Sequence, residues 1–267
     1  MDQNHPALFH TQHPHRVGSL EVYSLGVVDF PAAVVIQEHM VFELGGRKDD
    51  QSVLLLCEYP PTITWGRDGH ADQVQLSKEE FAKRKIHTAW VSRGGTCIPH
   101  VPGQLAVHLL CPLAKIPLDL PHRAEKSPFY PGLSPVEFID LLAGSAVRCC
   151  EHFKIPVQYI PEAGALIAAG GQIGYLGARV RFGVSSFGMY LNVAPWLDFF
   201  RNIEHPVTQN RVTSLAREKV QHVDSSKVRE FLINDLASTL RYDRVHIYTR
   251  HPMLERQFRK LPANVLH

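Results

Sequence analysis

Cysteine is scarce in this chain of 267 residues, and the five present form no metal-like grouping. An odd number without paired spacing excludes a disulfide framework and a cysteine-held metal, and it suits a reducing, cytoplasmic setting. Charge of one sign is scarce too. Against 28 Lys and Arg stand 26 Asp and Glu, a formal +2, so nothing in the balance calls for a nucleic-acid partner. Sixteen histidines lend a basic look without adding charge at neutral pH. Long apolar runs are missing. The stretches 53–56 and 106–110 have a strand's length, far short of the roughly 20 residues of a membrane span. The first 18 residues are polar, carry His5, His10, His13 and His15, and contain no signal-type apolar core. Neither a membrane partner nor a metal is expected.

What is present is an ordinary globular composition, with 45% hydrophobic residues to offset the entropy of ordering. Leu20 to Val27 reads as a strand. Pro31 opens a helical pattern in which Ala33, Ile36, Met40 and Leu44 share a face. Short strands follow at 52–57, 62–65 and 88–92, with a helix between the last two whose Ser77 and Glu80 form a capping box. A buried strand is expected at 106–110 and a proline-rich excursion at 112–131. Ser134, Pro135 and Glu137 then open a clear helix. Short strands alternate with glycines from 157 to 193, and a last helix spans 226–240. The pattern gives an α+β fold: one domain with a central mixed β-sheet flanked by helices, built more from hairpins than from βαβ units. Its expected boundaries are a flexible His-rich tail at 1–18, the domain proper at 19–245 and a C-terminal extension at 246–267.

Chemistry concentrates around Arg93, Gly94, Gly95, Thr96, Cys97, Ile98, Pro99 and His100. Two glycines after a strand permit a close approach of backbone. Arg93 either fixes an anion or orients the loop, and His100 and Gln104 read as parts of a shaped surface loop. A tight turn built around a structural arginine accounts for the same residues. Cys57 and Cys111 belong in apolar strands and read as core. Cys97, three residues before His100, is a candidate nucleophile beside a base, or a core residue turned inward by strand alternation. The stretch 170–181 lacks the lysine of a phosphate loop and the spacing of a dinucleotide fingerprint. It reads as a hairpin against which a ligand chain lies. Trp65 and Trp90 read as packing residues. Arg179 and Arg181 share a strand face, which either meets an acidic carrier protein or stays wet.

Four pieces then stand in a telling order: LLLCEYPPTITWGR (54–67), RGGTCIPHVPGQL (93–105), IGYLGARVR (173–181), and FGMYLNV (187–193) followed by TSL (213–215). Together they resemble the lipoyl-pathway octanoyltransferases, within the biotin and lipoate protein ligase superfamily, over about residues 22–240. The resemblance implies a biotin/lipoate protein ligase-like domain with an acyl-chain tunnel. It implies transfer of an octanoyl or related acyl group from acyl carrier protein to a lipoyl-domain lysine through a cysteine thioester. No cofactor is implied, and a monomer is expected. The segments matching the family's substrate contacts are Arg93 to His100, then Tyr175, Leu176 and Gly177, then Gly188, Met189 and Tyr190.

The departures are chemical. The family's lysine matches Gln172, and its nucleophilic cysteine matches Val207, after Pro206 and before Thr208. Two of its histidines match Tyr59 and Phe187. Valine cannot form a thioester, and glutamine has no ammonium to hold a thiolate or an oxyanion. Three readings stand at this point. One is acyl transfer rebuilt around Cys97, or direct transfer with His100 as base. Another is a catalytically inactive homologue that binds an acyl chain or a carrier protein. The third is an acyltransferase of altered substrate and mechanism.

Overall fold

Two β-sheets of unequal size carry the fold, and the candidate residues lie where they face each other. The computed structural model describes residues 16–116, 132–208 and 211–254. In chain order, β1 (Arg16–Val27) leads through α1 (Phe30–Gly46) to β2 (Ser52–Glu58). The small sheet follows, with β3 (Thr62–Trp65), α2 (Lys78–Lys83), β4 (His87–Trp90) and β5 (Cys97–His100). Next come β6 (Gln104–Leu110), α3 (Pro135–His152), β7 (Gln158–Ile160), β8 (Ala165–Ala168), β9 (Gly171–Arg181) and β10 (Val184–Asn192). The chain continues through α4 (Leu215–Lys219), α5 (Ser225–Thr239) and β11 (Tyr242–Tyr248).

The large sheet has the order β11-β1-β2-β6-β10-β9-β8-β7, and the small one β4-β3-β5. The large sheet is mixed: β1 runs parallel to both β2 and β11, and the other pairs are antiparallel. Single domain, mixed sheet and flanking helices agree with the sequence. Two connections are βαβ units and not hairpins: β1-α1-β2 in the large sheet and β3-α2-β4 in the small one. The boundaries differ as well. β1 begins inside the expected tail, and β11 runs across the 245/246 boundary, because residues 246–248 pair with Glu21, Val22 and Tyr23. The His-rich leader before residue 16 and most of the proline-rich excursion lie outside the described residues.

Helices α3 and α5 cover one face of the large sheet. Phe138, Leu142, Ala146 and Cys149 share one side of α3 and are fully buried, which is why that helix docks there. Ser134 Oγ accepts from Glu137 N–H while the Glu137 carboxylate accepts from Ser134 N–H, the expected capping box. The other face holds α1 and the small sheet over an aromatic cluster that includes Phe30, Tyr59, Phe187 and Tyr190. Strand alternation alone would send Phe187 and Tyr190 to opposite faces. Phe187, however, has φ +59°, and this local reversal turns both rings toward the small sheet.

Candidate active site

Arg93 builds the loop between β4 and β5. Its side chain is 0% exposed. Nη1 donates to Gly94 O and Thr96 O at 3.0 Å each, and Nη2 donates to Thr64 O at 3.0 Å and Thr64 Oγ1 at 2.8 Å. Of the two roles expected, the structure shows the orienting one. Three carbonyls and a hydroxyl replace water around a guanidinium whose pKa burial pulls below its usual value. The glycines follow from this packing: a methyl at Gly66 would run into the Gly94 and Gly95 carbonyls and the Arg93 guanidinium, and one at Gly177 into the Gly94 carbonyl.

The Thr64 hydroxyl continues the chain of polar contacts. It stands 2.9 Å from His100 Nε2, while His100 Nδ1 is 2.9 Å from Gln104 Oε1. Gln104 Nε2 donates to Pro99 O and to Asn192 Oδ1, and Asn192 Nδ2 donates to Thr213 O. These roles fix one tautomer. Gln104 presents its oxygen, so His100 carries its proton on Nδ1 and its Nε2 accepts from Thr64. Burial, and then the Arg93 cation, pull the His100 pKa to about 3. The imidazole is neutral, fully buried and engaged at both nitrogens.

Two expectations are corrected here. Residues 97–100 form a strand and not a surface loop, because β5 pairs with β3 from Trp65↔Cys97 to Thr62↔His100. Residues three apart on a strand point to opposite faces, so Cys97 and His100 form no nucleophile–base pair. Cys97 is buried, and burial pushes its thiol up to about 12 despite the Arg93 cation. His100 likewise has no lone pair left for a substrate proton. Thr64 and Asn192, which complete the network, lie in the pieces 54–67 and 187–193 but are not singled out there: they lie 36 and 92 residues from His100 along the chain and only pairing of strands unites them.

Between the sheets, Tyr59 Oη lies 2.6 Å from His108 Nε2, and burial pulls the His108 pKa to about 3. The Tyr190 ring is 4.7 Å from that of His100 and 5.6 Å from that of His108. Its hydroxyl faces Arg93, and burial outweighs that cation in raising the phenol. Tyr175 pairs with Tyr190 across β9 and β10, and its ring lies 5.8 Å from that of His205. The structure therefore gathers Arg93, Ile98, His100, Tyr175 and Tyr190 against one another, whereas Leu176 and Met189 point into the core beneath α3. Trp90 departs from its expected packing role: it is 63% exposed and stacks on buried Trp65 at 5.2 Å. Arg179 and Arg181 both bind Glu38, at 2.5 and 2.8 Å.

Comparison with known proteins places this architecture. Residues 31–237 match the family model described as the lipoyl protein ligase A/B catalytic domain. An octanoyltransferase of Desulfotalea psychrophila is 30% identical, over 80% of this chain and 90% of its own. The chain belongs to the octanoyltransferase branch of the lipoyl protein ligase A/B family. The mitochondrial octanoyltransferase LIP2 of Arabidopsis thaliana is 26% identical, over 88% of this chain and 94% of its own. Among solved structures, a Thermoplasma acidophilum protein described as a lipoate protein ligase, with bound lipoic acid, superposes with a TM-score of 0.65 at 15% identity. That match covers 92% of this chain and 94% of the other and speaks to the fold.

In this octanoyltransferase-like protein, Gln172 lies on β9 and bonds through its backbone to residues 211–213, downstream of Val207. Gln172 N–H donates to Arg211 O, and Thr213 N–H donates to Gln172 O, so the strand is clamped by the segment that follows Val207. The Gln172 side chain turns back on its own strand, with Nε2 donating to Gly174 O at 3.3 Å. Val207 is 43% exposed, next to buried His205, whose pKa burial pulls to about 4. Gly94, Gly95, Thr96, Leu176 and Gly177 line a groove of about 560 Å³ beside the loop. Among the described residues no helix is long and apolar enough to cross a membrane, and no cluster of three or more potential metal ligands occurs.

Proposed function

We propose that this octanoyltransferase-like chain serves protein lipoylation by handling an octanoyl or related acyl group between acyl carrier protein and a lipoyl-domain lysine. It holds these partners without ever carrying the acyl group itself. The observation behind this reading is the pair Gln172 and Val207. An exposed aliphatic side chain stands where a thioester would form, and a neutral amide bonded to its own backbone stands where an ammonium would stabilise it. Cys97 does not substitute, since a thiol pushed up to about 12 supplies almost no thiolate at neutral pH. His100, neutral and engaged at both nitrogens, favours the non-catalytic form of the reading over direct transfer. All five cysteines are free thiols, which suits a cytoplasmic site of action.

Intact-mass spectrometry after incubation with octanoyl-acyl carrier protein tests this. The native chain is expected to stay unmodified. The variant carrying both Val207→Cys and Gln172→Lys is expected to gain a hydroxylamine-sensitive octanoyl adduct. An adduct on the native chain, lost in Cys97→Ser, would overturn the reading. Adding a lipoyl domain separates its two forms: a modified lysine means direct transfer, and binding without modification means a non-catalytic partner.

A further inference from the structure

Strand β9 leaves part of one edge open. β8 accompanies it only to the pairing Ala165↔Tyr175, after which Leu176 N–H donates to Gly164 O. Farther along that side, Gly94 N–H donates to Ala178 O, and the described residues supply no other backbone partner up to Val180. The groove of about 560 Å³ follows this open edge, between the Gly94–Thr96 loop and the first turn of α3. Leu176, Ala178 and Val180 form its strand side, and Val136 and Ile139 of α3 form the wall opposite.

Charge along the groove is uneven. Asp68, Asp140 and Glu162 line it, as do Arg67 and Arg179. Arg179 is already committed to Glu38, Ser92 and Ser186. Asp140 and Glu162 share one end, since both act on the Tyr159 phenol, which burial and then these two carboxylates push up to about 12. Burial and the neighbouring Glu137 also raise the Asp140 carboxyl, with no cation among its influences. That end is short of positive charge.

We propose that this groove takes an extended, lysine-bearing segment of the acceptor domain as an added strand on β9. Its backbone pairs with the open edge at 178–180, its apolar side chains rest on Val180 and Val136, and its ammonium lies between Asp140 and Glu162. Strand addition supplies affinity through main-chain hydrogen bonds, and the side-chain pockets supply selectivity. An acidic carrier protein would bring like charge to the carboxylates, which is why the acceptor and not the donor is assigned here. The proposal rests on the lipoyl-domain reading given above.

The experiment is a calorimetric titration of the full chain with a lipoyl domain bearing its unmodified lysine, repeated with a Lys→Gln version of that domain. Asp140→Asn combined with Glu162→Gln changes exposed side chains only and keeps their shape. This double variant is expected to bind the lysine-bearing domain about tenfold more weakly and the Lys→Gln domain without change, the signature of two exposed charge contacts. Hydrogen exchange at the Ala178 and Val180 amides is expected to slow in the complex. Equal affinity in the double variant together with unchanged exchange would overturn the groove assignment and leave the functional reading standing. Absence of any binding by the native chain would overturn both. Protection of those two amides by acyl carrier protein in place of the lipoyl domain would overturn the choice of occupant.

Discussion

Thr64 Oγ1 lies 2.9 Å from His100 Nε2, and the proton between them belongs to the threonine. That assignment follows from the far side of the ring, where the Gln104 oxygen needs a proton from Nδ1. The same hydroxyl accepts from Arg93, so one small side chain passes hydrogen bonding from the glycine loop to the strand that carries His100.

Replacing Thr64 with valine keeps the shape and removes the hydroxyl. Arg93 retains the Thr64 carbonyl, but His100 Nε2 is left buried without a donor. The expected loss is about 1–3 kcal/mol of folding stability, the cost of an unpaired buried acceptor. Urea denaturation at neutral pH measures it, and an unchanged midpoint would show the relay to be energetically idle.

Stability is expected to fall as acid is added, beginning near neutral pH. His100 and His108 have folded pKa values of about 3, and His205 of about 4, against an ordinary value near 6.5. Below that ordinary value the unfolded chain takes up protons that the folded chain refuses, so each histidine favours unfolding progressively until its folded pKa is reached. At pH 5 each contributes on the order of 1–2 kcal/mol of destabilisation relative to pH 8. Denaturation curves across this range, compared with His108→Gln, check the sign: the variant's slope should be shallower between pH 6.5 and 4.

Thiol reagents give a third test. All five cysteines are free and buried. Burial pushes Cys57, Cys97 and Cys150 up to about 12 and raises Cys149 as well. Ellman's reagent at neutral pH should therefore titrate essentially none in the folded protein and all five in guanidinium. A rapidly reacting native Cys97 would restore it as a nucleophile.

The β9–β10 hairpin offers a gain of stability. Phe182 and Gly183 form its two-residue turn with φ of +53° and +73°, bracketed by the pair Arg181↔Val184. Such a turn favours Asn at its first position, and Phe182 is 63% exposed. Phe182→Asn is expected to raise stability by about 0.5–1 kcal/mol, read as an increase in Tm.

Much of this fold was legible because its signals are local. Helix α3 announced itself through Ser134, Pro135 and Glu137, and the strand at 62–65 was bounded by a proline pair and a glycine. The polar network was not legible, since His100, Thr64 and Asn192 lie on three strands whose pairing is set by tertiary packing. Position 93 showed the difference well. An arginine between a strand and two glycines suits an anion site, and only the turning of both its terminal nitrogens onto three carbonyls and the Thr64 hydroxyl reveals a brace. β11 escaped notice because an edge strand needs no apolar alternation, and all of it but Tyr242 is exposed.

That last strand also sets a clock on the newborn protein. β1 begins at residue 16, yet its outer neighbour is β11, which ends at residue 248. On the ribosome, β1 keeps this flank bare until residues 242–248 have been made. Truncation before residue 242 should therefore leave a nascent product with a sticky margin, prone to chaperone capture and aggregation long before any failure of the site itself.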